Sequence, residues 1–253
     1  MPTAPAPAWI STRSAAASRA RSISACQAVR PEIGVTAAWA WTAASCAVAT
    51  GVYLANRPEW LGKRDGRLMP RALLILPYLV AFRIAIELIR WWRDPDEPSL
   101  VSPGLWVGGR LDAGTFPPGI SHVVDLVAEY PAPAWVRALP GYRNLPILDG
   151  AEPPSREAFL DVIRDLRDVT GGVLVHCDSG RGRAPTMAAA LLIARGLAPD
   201  VDSALALVRA GRPVSSPTGV DVAFLHTVLP SLLALQSVPA SDEIGLRNSR
   251  GRN

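Results

Sequence analysis

Ile33 to Ala55 is a run of 23 residues without a single charged side chain. Wound as a helix it would reach about 35 Å, enough to cross the hydrocarbon core of a bilayer. Trp39, Trp41 and Tyr53 stand towards its ends, where amphipathic rings favour the membrane–water interface. The run is too long for a signal-peptide core, and no Ala-x-Ala cleavage site follows it. It reads as a retained transmembrane helix. The competing reading is a buried helix of a soluble domain.

A second apolar stretch runs from Ala72 to Trp92. Its first half is clean to Phe82, after which Arg83, Glu87 and Arg90 follow at i, i+4 and i+7 and so share one helical face. Arg83 and Glu87 are spaced to pair. Trp91-Trp92-Arg93 reads as an interfacial end. The expectation is a second span with its polar face against the first helix. A membrane-surface amphipathic helix is the alternative. Pro77 is expected to kink either one.

Upstream, residues 1–31 are rich in Ala, Pro, Ser and Arg, with no acidic residue before Glu32. They read as a disordered tail or an over-extended start, and less well as a transit peptide. Asp94-Pro-Asp-Glu-Pro-Ser99 is an acidic, proline-rich break, and the boundary is placed there. The organisation is then a tail over 1–31, a membrane-anchoring region over 32–98 (spans 33–55 and 72–92), a folded domain over 99–236, and a loose tail over 237–253.

Charge follows the same division. Residues 1–98 hold 12 basic and 7 acidic residues, and residues 99–253 hold 14 and 15. The basicity lies with the apolar segments, and no broad basic face on the C-terminal part invites nucleic acid. The overall 49% hydrophobic and 19% charged content excludes a disordered chain. Cys26, Cys46 and Cys177 are too few and too scattered for a disulfide framework or a zinc site. His122 and His226 have no neighbours that would give them chemistry.

From Ser99 the texture is α/β. Leu105–Val107, Val123–Leu126, Leu145–Leu148 and Val173–Val175 read as strands, the last one buried on both faces. Ser155 caps a helix carrying Phe159, Val162, Ile163 and Leu166 on one face. Further helices are expected from about Ala184 to Arg195, from Val201 to Ala210 behind an Asp200 cap, and from Val220 onward.

The chemistry concentrates in Val175-His176-Cys177-Asp178-Ser179-Gly180-Arg181-Gly182-Arg183. This stretch lies between a buried strand and a helix N-terminus. Successive backbone N–H groups in such a turn can face one concavity, and the helix dipole adds positive potential. Gly180 and Gly182 let the backbone curl. Arg183 can return over the loop and hold two oxygens of a tetrahedral anion. Cys177, at the loop's entry, has its thiolate stabilised by the same field. The arrangement is an anion nest with a nucleophile at its base.

With His176, Cys177, Gly180 and Arg183 at its fixed positions, this stretch resembles the His-Cys-x5-Arg signature of the cysteine-based protein tyrosine phosphatase superfamily. Leu105-Trp-Val-Gly-Gly-Arg110 resembles the opening strand of its dual-specificity branch, and Arg212-Pro213 followed by Pro217 resembles the segment before that branch's final helix. The resemblance covers about residues 99–235. It implies an α/β fold with a mixed central sheet flanked by helices, here preceded by one or two transmembrane helices.

It also implies the roles. Cys177 attacks phosphorus. Arg183 and the loop residues Asp178, Ser179, Gly180, Arg181 and Gly182 bind the phosphoryl oxygens, and His176 orders the loop. The general acid and base is Asp149, on the Pro/Gly-rich loop after a strand, with Glu152 the weaker candidate. No metal or cofactor is needed. The implied substrate is a phosphorylated protein or a phospholipid headgroup. Sulfur transfer on a cysteine loop fits the arginine and the upstream aspartate less well.

Two departures keep a weakened enzyme or phosphate-binding scaffold in view. Ala184 stands where the family has Ser or Thr, whose hydroxyl assists thiolate departure. Asp178 puts a carboxylate inside an anion nest, which is tolerable if it faces solvent or if Arg181 offsets it. Three basic residues precede the first span closely and four follow it, so the positive-inside rule does not orient it. A catalytic thiol keeps best in a reducing compartment, which favours a cytoplasmic domain.

Overall fold

The computed structural model describes residues 34–92 and 97–237. The expectations for residues 1–31, for Cys26, for the side chain of Arg90 and for nearly all of the C-terminal tail lie outside that range.

The domain is built on a five-stranded sheet of β3 (Ser99–Ser102), β4 (Leu105–Gly108), β5 (Ile120–Val127), β6 (Gly141–Ile147) and β7 (Gly172–His176). The strand order is β3-β4-β7-β5-β6, with β3 antiparallel to β4 and every other neighbour parallel. The central β7 carries Val173, Leu174 and Val175, all fully buried, as a strand covered on both faces must.

Behind the sheet lies α5 (Arg183–Ala194), in which every residue is buried. It is enclosed by α4 (Arg156–Arg167), α6 (Val201–Gly211) and α7 (Gly219–Gln236). A short α3 (Ala134–Arg137) follows β5. The helix starts follow capping chemistry: Ser155 accepts from Ala158 N–H, Asp200 from Ser203 N–H, and Thr218 and Asp221 form a reciprocal capping box. The mixed sheet flanked by helices is the expected fold.

Ahead of the sheet, α1 (Gly34–Leu54) and a second apolar helical stretch (Pro70–Ile89) are each long and apolar enough to cross a membrane. The second stretch is a 3-10 turn, Pro70–Ile75, running into α2 (Leu76–Trp91). Pro77 thus falls in the first turn of α2, where its missing N–H costs nothing, and it marks the change of helix type instead of a kink in mid-helix. Ser45 accepts from the Tyr78 backbone N–H at 3.0 Å and the Trp41 indole donates to Leu74 O at 3.0 Å, which ties the two apolar segments together. Trp39, Leu54, Leu74, Ile84, Leu88, Trp91 and Trp92 stay exposed on them. α7 is also long and apolar, but it buries Phe224, Leu225, Val228 and Leu232, so the core accounts for its composition.

Between the apolar segments lies a hairpin of β1 (Lys63–Arg64) and β2 (Arg67–Leu68). It turns through Asp65 and Gly66, both at positive φ, in the Asp-Gly pattern such turns favour. The hairpin docks on the sheet domain. Gly66 O accepts from Ala132 N–H at 2.9 Å, and Gly66 N–H donates to Asn144 Oδ1 at 3.3 Å. Val52, Leu61, Ala72, Ile75 and Leu79 bury against Ala128 and Leu148. The proline-rich break at 94–99 therefore separates stretches of chain, while packing runs across it.

Candidate active site

The chain leaves β7 at His176 and enters α5 at Arg183, so the six residues between them form a loop at the carboxyl edge of a parallel sheet. Cys177 is buried at its start, and Gly180 N–H donates to Cys177 Sγ at 3.2 Å. Gly180 sits at φ +67°, and a Cβ there would lie 2.6 Å from Gly108 C, so only glycine fits. Arg212, fully buried, fastens the loop from behind, with Nε donating to Gly180 O at 2.9 Å and Nη1 to Glu97 O and Ser99 Oγ.

Arg183 is buried beneath the loop. Its Nη1 donates to Ile147 O at 2.6 Å, Glu129 Oε2 at 3.2 Å and Leu126 O at 3.5 Å. Its Nη2 faces Asp149 Oδ1 at 3.1 Å. Its Nε has no partner among the described residues. Burial opposes the charge, but Glu129, Cys177 and Asp149 outweigh it and hold the guanidinium protonated. A buried donor left open beside a thiol is an arrangement that receives an oxyanion.

Glu129 ties these parts together. It accepts from Arg183, from Asp149 N–H at 2.9 Å and from the Tyr53 hydroxyl at 3.3 Å. Nothing local singled it out in sequence, beyond being an acidic residue at the end of an apolar strand. Asp149, more than half exposed on the turn after β6, is brought to Arg183. Glu152 is exposed, and its backbone oxygen accepts from Asn56.

Asp178 departs from expectation. It is 5% exposed, so it does not face solvent, and Arg110 pairs with it, with Nη2 at 3.1 Å from Oδ1. Arg110 N–H also donates to Asp178 O at 2.8 Å. The Arg181 backbone oxygen accepts from Ser216 N–H. The remaining members of the expected phosphate-binding set, Ser179, Gly180 and Gly182, lie on the same loop.

His176 is fully enclosed, with Nδ1 3.4 Å from Cys177 O and Nε2 3.7 Å from Asp125 Oδ1. Burial pushes its imidazole below the ordinary value, so it sits neutral. Asp125 accepts from Lys63 Nζ at 2.7 Å and the Tyr142 hydroxyl at 2.8 Å. Burial works against its carboxylate, but His176, once protonated in the acid range where the carboxyl titrates, Lys63 and Tyr142 prevail and keep it below the usual range.

A pocket of about 370 Å³ opens over Cys177, and Lys63, Arg83, Arg110, Tyr130 and His176 are among its lining. The Arg83 and Arg110 guanidiniums each lie 5.0 Å from the Tyr130 ring centroid. Glu87 pairs with both arginines. The Arg83–Glu87 pair forms as its spacing predicts, but this polar face of α2 turns to the cysteine loop's rim and not to α1. Among the described residues no group of three His, Cys, Asp or Glu side chains is placed to hold a metal.

A family model described as the Swiss Army Knife protein DSP-PTPase phosphatase domain matches residues 115–242. The dual specificity protein phosphatase PHS1 of Arabidopsis thaliana is 31% identical over 123 residues, covering 43% of this chain and 13% of that protein. The chain thus spans about an eighth of the relative's length. Crystal structures of human DUSP28 and of DUSP15 are similar in fold. The first is 24% identical, covers 55% of this chain and 96% of its own, and has a TM-score of 0.45. The second is 23% identical, covers 62% and 97%, and has a TM-score of 0.47.

Proposed function

Because the chain belongs to the DSP-PTPase phosphatase domain family, we propose that it is a membrane-anchored phosphatase that hydrolyses phosphate monoesters through a phosphocysteine intermediate. Cys177 attacks phosphorus in line with the ester bond. The open Arg183 Nε and the N–H groups of the loop from Asp178 to Gly182 take the equatorial oxygens. Asp149 gives its proton to the departing ester oxygen. It then removes a proton from the water that attacks the phosphocysteine, and inorganic phosphate leaves. His176 stays neutral and orders the loop without transferring protons. The substrate is a phosphorylated protein or a phospholipid headgroup. α1 would serve as the anchor, with the hairpin and the phosphatase domain on the cytoplasmic side and the second apolar stretch, which packs on that domain through Leu79 and Glu87, lying at the membrane surface.

The observation that carries this reading is the unpartnered, buried Arg183 Nε in the loop whose Gly180 N–H donates to Cys177 Sγ. Pairing of Asp178 with Arg110 supports turnover, because it removes the repulsion a free carboxylate would bring to the nest. Ala184 favours the second reading, a phosphate-binding protein with weak turnover. Hydrolysis of p-nitrophenyl phosphate by the full chain in detergent, with and without vanadate, separates the two. A panel of phosphopeptides and phospholipids then sorts the substrate. Vanadate-sensitive turnover is expected. Vanadate binding without turnover would establish the scaffold.

A further inference from the structure

Lys63 is a buried lysine that the mechanism above does not use. It comes from the hairpin between the two apolar segments, 62 residues before its partner Asp125. Its side chain is completely enclosed, and Nζ donates to Asp125 Oδ2 at 2.7 Å and to Val127 O at 2.5 Å. Lys63 is among the residues around the pocket, but its Nζ is engaged by these two acceptors. It grips the end of β5 and the residues just after it.

That same stretch carries Arg183. Besides Ile147 O on β6, its guanidinium hangs on Glu129 and Leu126 O of this stretch. Successive carbonyls of a strand point to opposite edges, so Leu126 O goes to Arg183 and Val127 O to Lys63. Segment 125–129 is thus held from one side by the hairpin and loaded from the other by the arginine. Tyr53, at the end of α1, adds a second tie by donating to Glu129. Asp125 also stands opposite His176 in the parallel register, directly before Cys177.

We propose that Lys63 is a positioning residue for phosphoryl transfer, acting through Arg183 by fixing the 125–129 segment on which that guanidinium hangs. The phosphatase site is then completed by a residue of the membrane-anchoring region. This inference rests on the phosphatase reading.

The test is a double-mutant cycle on the full chain in detergent, reading kcat and KM for p-nitrophenyl phosphate. A small displacement of a catalytic group costs about 100-fold in rate, and Lys63→Met is expected to lower kcat on that scale. In an Arg183→Lys background the grip is already lost. There the same substitution should cost no more than about threefold, a coupling of roughly 30-fold, within the range that contacting residues show. Full multiplication of the two losses, or an unimpaired Lys63→Met protein, would overturn the proposal while leaving the phosphatase reading intact. An Arg183→Lys protein as fast as the parent would remove both. Lys63→Met leaves the buried Asp125 charge without its lysine partner, which can prevent folding. The pair Lys63→Met with Asp125→Asn removes that charge. It should melt near the parent temperature yet remain slow. Recovery of kcat together with the melting temperature would show that Lys63 is structural only, and would overturn the proposal.

Discussion

Asp149 Oδ1 lies 3.1 Å from Arg183 Nη2, so the proposed proton donor is paired with the proposed phosphoryl-binding arginine. An incoming phosphate competes for the same guanidinium edge and frees the carboxyl to act on the leaving oxygen. Asp149→Asn should therefore separate binding from chemistry. With an alkyl phosphate, whose leaving group needs a proton, kcat should fall about 100-fold or more. Inhibition by vanadate should be undiminished, because one competitor for Arg183 has gone. Weaker vanadate inhibition with intact kcat would assign Asp149 to binding alone.

A second prediction concerns acid. Burial holds His176 neutral, below its ordinary value. The unfolded chain takes up a proton near pH 6.5 that the folded chain refuses, so folding weakens as pH falls from about 6.5 towards the lowered folded value. Asp125, held below the usual carboxylate range, contributes stability above about pH 3.9 that is lost only further down, as pH falls through its folded value. Melting temperatures between pH 7 and 5 should therefore decline. His176→Asn, which cannot titrate, should flatten that decline. A profile unchanged by the substitution would show that another group governs it.

Removing the N-terminal region should damage the domain. A fragment spanning residues 99–237 leaves the buried Asp125 without Lys63. Losing one partner of a buried pair costs about 3–5 kcal/mol. The fragment should melt well below the full chain, and Asp125→Asn should recover part of the loss. Equal stability of fragment and full chain would mean that water replaces Lys63 at no cost.

What the sequence disclosed was what short stretches encode by themselves. The Ser155 and Asp200 caps, the apolar β7 and the loop from His176 to Arg183 depend on neighbours in the chain, and their elements form where those signals lie. β5 is longer than its apolar kernel because Ile120 and His122 also pair, with Gly172 and with Val173 and Gly141. Glu129, Arg212 and Lys63 acquire their roles from contacts between residues 54, 32 and 62 positions apart. No local pattern marks such residues. Asp178 looked adverse for the same reason, since its partner Arg110 lies 68 positions away.

Ala184 is completely buried at the first turn of α5, where it offers no hydroxyl to Cys177. The neighbouring Thr186 hydroxyl is engaged with Gly182 O. The Gly180 N–H and Arg183 remain, so the loss should be partial. One missing charge-assisted hydrogen bond is worth about 1.5–3 kcal/mol, or roughly ten- to a hundred-fold in rate. Phosphoenzyme should accumulate after a fast burst, and Ala184→Ser should raise steady-state turnover while leaving the burst rate nearly unchanged. Rapid-quench kinetics without a burst, and without gain in the variant, would show that another group already assists thiolate departure.

The most direct test of the account is acid quenching during turnover of a ³²P-labelled phosphate monoester, followed by mapping of the labelled residue. The account predicts label on Cys177 at near-stoichiometric level in the parent protein, with neither label nor turnover in Cys177→Ser. Hydrolysis persisting at the parent rate in Cys177→Ser would contradict it.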